Sequence, residues 1–199
     1  MRRQMRDSFF MKNRNLLELI NENQLESSYF HKTLIEDNLN EDSEKLTVLV
    51  YECLKKTYTM EDFPFLVDSI FSKDVQKQHM GVIGLRRILS IEESPPIQPV
   101  IDMNLVPRLI EFMQKEELPH LQLESVWALT NVASGTKQQT QEIINKGGIS
   151  LIVKILYSKH PEVAFQVQFY LFYLSKKLHR RSGLWETLLE NLSNSETKF

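Results

Sequence analysis

Trp127 and Asn131 stand one helical turn apart in the run Leu121-Gln-Leu-Glu-Ser-Val-Trp-Ala-Leu-Thr-Asn-Val-Ala-Ser134, and their chemistry suits them to hold another molecule. An indole face attracts a cation and walls a slot for the aliphatic stem of a lysine. An Asn amide both donates and accepts, so it clamps the backbone of an extended peptide. At about 100° per residue, Glu124, Asn131 and Ser134 fall within roughly 60° of Trp127 on a helical projection. Val126, Leu129 and Ala133 lie to one side and Ala128 and Val132 to the other, so the apolar face looks away from the Trp/Asn pair. A tryptophan at helical spacing is ordinarily core; here its own helix argues for exposure. Repeated along a stack of helices, such pairs would bind a basic peptide lengthwise.

Other chemistry is not supported by spacing. His31, His79, His120, His160 and His179 are scattered without ligand spacing, and each reads as a surface or capping residue. Cys53 is the lone cysteine, which excludes a disulfide framework and a cysteine zinc site; it reads as a small buried apolar residue in a reduced compartment. The sequence has no glycine-rich phosphate loop, nucleophile elbow or metalloprotease motif. Glu92-Glu93 before Pro95 reads as a solvated helix end. The expectation is a protein that is not an enzyme, with no metal and no cofactor.

With 199 residues, 42% of them hydrophobic and 25% charged, and with six glycines and seven prolines, the chain can bury a core and is neither disordered nor low in complexity. A net charge of −2 argues against nucleic acid as the main partner, because phosphate contacts need a basic face. No apolar run approaches the 18 or so residues of a membrane span. The basic start has no following apolar region, so no secretory signal is expected, and the protein reads as soluble and intracellular.

Charge is distributed unevenly at the start. Residues 1–14 carry Arg2, Arg3, Arg6, Lys12 and Arg14 against Asp7, whereas residues 15–46 carry eight acids against Lys32 and Lys45. A basic interaction arm (1–15) followed by an acidic linker (16–44) is expected. From about Lys45 apolar residues recur at spacings of three and four, the helical period. Ser43 followed by Leu46, Val50, Cys53 and Leu54 reads as a capped amphipathic helix. Pro64, Pro107 and Pro161 mark later helix starts, Pro95-Pro96 opens another helix, and Gly147-Gly148 closes one.

The positioning elements repeat. Pro64-Phe-Leu-Val-Asp-Ser-Ile aligns with Pro107-Arg-Leu-Ile-Glu-Phe-Met and with Ser150-Leu-Ile-Val-Lys-Ile-Leu, so that Leu66, Leu109 and Ile152 are 43 residues apart, as are Val67, Ile110 and Val153, and Ile70, Met113 and Leu156. Each short helix precedes a longer one, near 74–91, 119–134 and 160–178. A period of about 40–47 with two or three helices per unit is the mark of armadillo or HEAT arrays. The fold expected is therefore all-α, a short right-handed α-solenoid of armadillo type over 45–181, with repeats near 63–92, 95–135 and 136–178. Residues 182–199 are expected to form a capping helix and tail, with Trp185 packed in the cap.

The runs Pro95-Pro-Ile-Gln-Pro-Val-Ile-Asp102 and Glu124-Ser-Val-Trp-Ala-Leu-Thr-Asn-Val-Ala-Ser-Gly-Thr136 resemble the first two armadillo repeats of the importin-α (karyopherin-α) family. The resemblance covers about residues 60–178, and Met5 to Asn15 is similar to the closing segment of that family's importin-β-binding arm. It implies a nuclear import adaptor in cytoplasm and nucleus, whose partners are importin-β and the basic localisation-signal peptides of cargo. Carried over by position, Trp127 is a lysine-stem wall, Asn131 a backbone clamp, and Gly135 (carbonyl) and Thr140 (hydroxyl) contact the signal's key lysine. Glu124 shares that stripe, and Ser90 and Glu92 match the groove edge on the first repeat. In the third repeat only Gln166 matches; Phe169, Tyr173 and Lys177 stand where the family has Trp, Asn and an acid. Phenylalanine is the weaker cation platform, tyrosine lacks an amide and a lysine repels a lysine. The family's array has about ten repeats against about three here, and together with Phe169, Tyr173 and Lys177 this supports an alternative: a regulatory or scaffold armadillo protein that carries no cargo and competes for importin-β through Arg2, Arg3, Arg6, Lys12 and Arg14.

Overall fold

The structure is a computed structural model that describes residues 41–91, 94–156, 158–160, 163, 166–167 and 171. The chain divides into two compact units, Met1–Leu49 and Val50–Phe199. Of the first, residues 41–49 form the opening turns of helix α1 (Glu41–Lys55), which begins ahead of the expected Ser43 cap.

The second unit is helical through the described residues. A short 3-10 turn (Met60–Asp62) leads into α2 (Phe63–Phe71) and α3 (Val75–Leu89). Three helices follow, α4 (Ile97–Asp102), α5 (Leu105–Met113) and α6 (Pro119–Ala133), then α7 (Lys137–Asn145) and α8 (Gly148–Ile155). Residues 163, 166, 167 and 171 are also helical. Local chemistry sets these boundaries. Asp74 accepts from the backbone N–H of Gln76 (2.8 Å) and starts α3. Thr136 and Gln139 form a reciprocal capping box at the start of α7. Gly147 takes a left-handed φ of +82° between α7 and α8, the conformation that ends a helix without a Cβ penalty.

Equivalent positions of the repeats do equivalent work. Leu66, Leu109 and Ile152 have no solvent exposure, Ile70 and Met113 likewise, and Val67 and Ile110 are nearly as deep. A 43-residue period is thus a period of burial, and one apolar cluster runs from Phe63 to Val167 through α2, α3, α5, α6 and α8. Polar ties fasten the long helices to the short ones before them. Gln78 of α3 donates to the Ser72 carbonyl (2.8 Å), and Gln122 of α6 donates to the Met113 carbonyl (2.6 Å). Each buries an amide only because the end of the preceding helix offers a free carbonyl.

Helices α2 and α3 meet closely at Gly81. A Cβ there would lie 2.8 Å from Ile70 Cγ1 and 2.9 Å from both Ile70 N and Leu66 O, so two of the three contacts are backbone atoms that cannot rotate aside. Alanine is the better helix former by about 1 kcal/mol, yet overpacking a site of this kind costs about 1–3 kcal/mol. Gly81→Ala is expected to destabilise the protein, by about 1–2 kcal/mol in urea unfolding followed by circular dichroism.

Candidate functional site

Helix α6 is wrapped on most of its circumference. Among its residues Leu123, Trp127 and Asn131 are partly exposed, and Ser134 just beyond its end is exposed. These lie at i, i+4, i+8 and i+11, a single stripe on one helical face. The expected exposure of Trp127 and Asn131 is therefore present, while Val126, Ala128, Leu129, Val132 and Ala133 are fully buried.

Glu124 is placed otherwise. It is only 3% exposed, and its carboxylate receives Arg86 in a two-pronged ion pair, Nε to Oε2 at 2.7 Å and Nη2 to Oε1 at 3.1 Å. The expected contact residue is instead the counter-ion of a buried cation that comes from α3. That cation also stacks on the indole: the Arg86 guanidinium carbon lies 4.3 Å from the Trp127 ring centroid. Asn131 Nδ2 donates to Ser90 Oγ (3.1 Å) and, at 3.4 Å, to the Arg86 carbonyl; the Ser90 hydroxyl donates to the same carbonyl (2.8 Å). A carbonyl accepts only, so the amide must turn its nitrogen inward and its oxygen outward.

Thr140 also departs from expectation. It is 1% exposed and its hydroxyl lies 2.9 Å from the Thr136 carbonyl and 3.2 Å from that of Ala133, where it donates within the chain. Gly135 is partly exposed at the end of α6; a Cβ there would press on Ile97 Cδ1 (2.9 Å) and on Gln139 Oε1. Gln166 reaches back from the helical residues beyond α8, its amide 3.3 Å from Thr130 Oγ1. Glu92, Phe169, Tyr173, Lys177 and the arm residues Arg2, Arg3, Arg6, Lys12 and Arg14 lie outside the described residues, as does Trp185.

Behind the stripe the histidines correct another expectation. His79 of α3, His120 of α6 and His160 are buried, not surface residues, and the rings of His79 and His120 stack at 5.7 Å with planes 9° apart. His79 donates from Nδ1 to the Val75 carbonyl (2.8 Å), and His120 Nε2 is 3.7 Å from Glu124 Oε1. Burial holds both rings below the ordinary histidine value, His120 well below, with His79 and Arg86 adding to the effect at His120. At His79 the Val75 carbonyl and Glu124 oppose the burial effect, and Lys115 reinforces it. Cys53 is buried and free, and burial pushes its thiol up, which fits a packing role. Among the described residues no group of His, Cys, Asp and Glu is arranged to hold a metal ion, and no helix is long and apolar enough to cross a membrane.

The geometry defines a helical-repeat protein with a polar ladder between consecutive long helices. Solved structures share that fold: a designed armadillo repeat protein superposes with a TM-score of 0.56 at 21% identity, covering 90% of this chain and 74% of its own. An engineered protein gives 0.59 at 20% identity, covering 81% of this chain and 40% of its own. The Armadillo/beta-catenin-like repeat family matches residues 93–134, and the fold is an all-α armadillo solenoid. Curated relatives are narrower in kind. "Importin subunit alpha-2" of Arabidopsis thaliana is 42% identical over 107 residues, 54% of this chain and 20% of its own length. "Importin subunit alpha-B" of Dictyostelium discoideum is 43% identical over 107 residues, and "Importin subunit alpha" of Saccharomyces cerevisiae 41% over 106, each covering about a fifth of the relative. Over about half its length the chain is similar to importin alpha subunits, and it spans about a fifth of the length of those relatives.

The stacked histidines give a measurable consequence. Both bind protons more weakly in the folded chain than at their ordinary value of 6.5. The unfolded chain then takes up more protons below that pH, so stability is present above about 6.5 and is lost as pH falls. The thermal midpoint is expected to drop between pH 7 and pH 5. Replacing both rings by glutamine (His79→Gln with His120→Gln) should flatten that slope.

Proposed function

We propose that this chain is an import adaptor of the importin-α type that holds a basic localisation-signal peptide against the exposed face of α6. The observation that carries the reading is the Trp127/Asn131 pair, partly exposed one turn apart on a helix whose other sides are buried. The exposed indole surface walls the stem of a lysine and attracts its ammonium. The outward oxygen of Asn131 accepts from a backbone N–H of the peptide, and the Gly135 carbonyl and Ser90 border the same stripe. Glu124 and Thr140 serve from behind, one as a counter-ion and one as a cap, and not as ligand contacts. Kinship with importin alpha subunits over half the chain supports the reading.

In this reading the basic arm at residues 1–15 engages importin-β and the chain works in cytoplasm and nucleus. Gln166 belongs to the groove's continuation on the third repeat. Phe169, Tyr173 and Lys177 weaken that continuation, so the second repeat supplies most of the affinity.

Titration of a labelled lysine-rich localisation peptide, followed by fluorescence anisotropy at low and physiological salt, tests this directly. Binding is expected to saturate and to weaken with salt. Trp127→Ala should cost about 3- to 30-fold, the range of one cation–π contact, and Asn131→Ala about 5-fold, one hydrogen bond's worth. Equal affinity of the parent chain and Trp127→Ala would defeat the proposal.

A further inference from the structure

Arg86 touches both Trp127 and Asn131 of the stripe without lying on it. Its side chain comes from the last turn of α3, in the preceding repeat, and is 5% exposed. The two-pronged pair with Glu124 fixes the plane of the guanidinium, since a fork held at two points cannot rotate. Glu124 and Trp127 are three residues apart on α6 and so are surface neighbours. The indole lies against that fixed plane at 4.3 Å. The backbone of the same residue does the corresponding work for the amide, its carbonyl receiving both Asn131 Nδ2 and the Ser90 hydroxyl. One residue therefore sets the plane of the cation wall through its side chain and the direction of the amide through its main chain.

We infer that Arg86 is the positioning residue of this site: stacked under Trp127 and locked by Glu124, it holds the indole in the orientation that a lysine-rich peptide needs. The inference rests on the peptide-binding reading given above and adds to it a residue of the first repeat that meets no ligand. Its charge also has to be cancelled for the site to work. An uncompensated guanidinium under the wall would repel a ligand ammonium, and Glu124 cancels it at 2.7 Å.

The test uses the full chain with Trp185→Phe, which leaves Trp127 as the single indole among the two tryptophans. Arg86→Lys keeps the charge and removes the planar fork. In the folded variant, well below its thermal midpoint, acrylamide quenching of Trp127 emission is expected to rise about twofold and peptide affinity to fall about tenfold. Parent-like quenching together with parent-like affinity would overturn the inference. A purely structural role for Arg86 would lower the thermal midpoint while leaving Trp127 quenching in the folded protein unchanged, and that outcome also overturns it. Should Arg86→Lys fail to fold, Arg86→Met with Glu124→Gln removes both charges at similar volume, an exchange that buried ion pairs often tolerate; the same two readouts then decide. Trp127→Ala in the same titration separates the two ideas. If it binds peptide as the parent does, the peptide reading fails, and the positioning of Trp127 by Arg86 is judged on quenching alone.

Discussion

The ion pair between Arg86 and Glu124 is the constraint around which the second unit is arranged. Two charges at 5% and 3% exposure are stable only when each satisfies the other, because an isolated buried ion costs several kcal/mol. The pair joins α3 to α6, so the register between consecutive long helices is fixed where the charges meet. Apolar packing alone is more permissive, since a leucine accepts many neighbours while a guanidinium fork accepts one geometry. The stacked indole, the oriented amide and the histidine pair behind them all take their places from that register.

The register forms a ladder. His79 and His120, Arg86 and Trp127, and Ser90 and Asn131 are each 41 residues apart, and each pair is in contact. Equivalent positions on consecutive helices therefore stack as rungs: an imidazole pair within, a cation on an indole, and a hydroxyl on an amide at the surface. Such rungs are what a solenoid offers a linear ligand, because each repeat presents the same positions at a regular interval. In the first repeat the rung positions are an arginine and a serine, which support the neighbours above them. In the second they are a tryptophan and an asparagine, which face outward.

Much of this was legible in the sequence. Three aligned heptapeptides at a 43-residue spacing gave away the armadillo fold because burial is periodic and apolar residues must recur with it. The exposed stripe of α6 was legible for the same reason: the apolar residues on its other sides left Trp127 and Asn131 with nowhere else to face. The placement of Glu124 was not. On a helical wheel it shares the stripe with Trp127, and only a partner on another helix turns it inward. His79 and His120 were hidden likewise, since histidine carries no periodic signal and its burial depends on what lies opposite.

The amino-acid sequence by itself therefore determined which helices form, that they repeat, and which face of α6 is free of apolar side chains. These are properties of one chain segment and its own period. Tertiary structure alone decided the pairings between segments: that Arg86 reaches Glu124, and that Trp127 rests on a cation of its own chain. Such contacts join residues some forty positions apart through a single angle and distance, and a one-dimensional pattern does not record where a charged side chain finds its counter-ion.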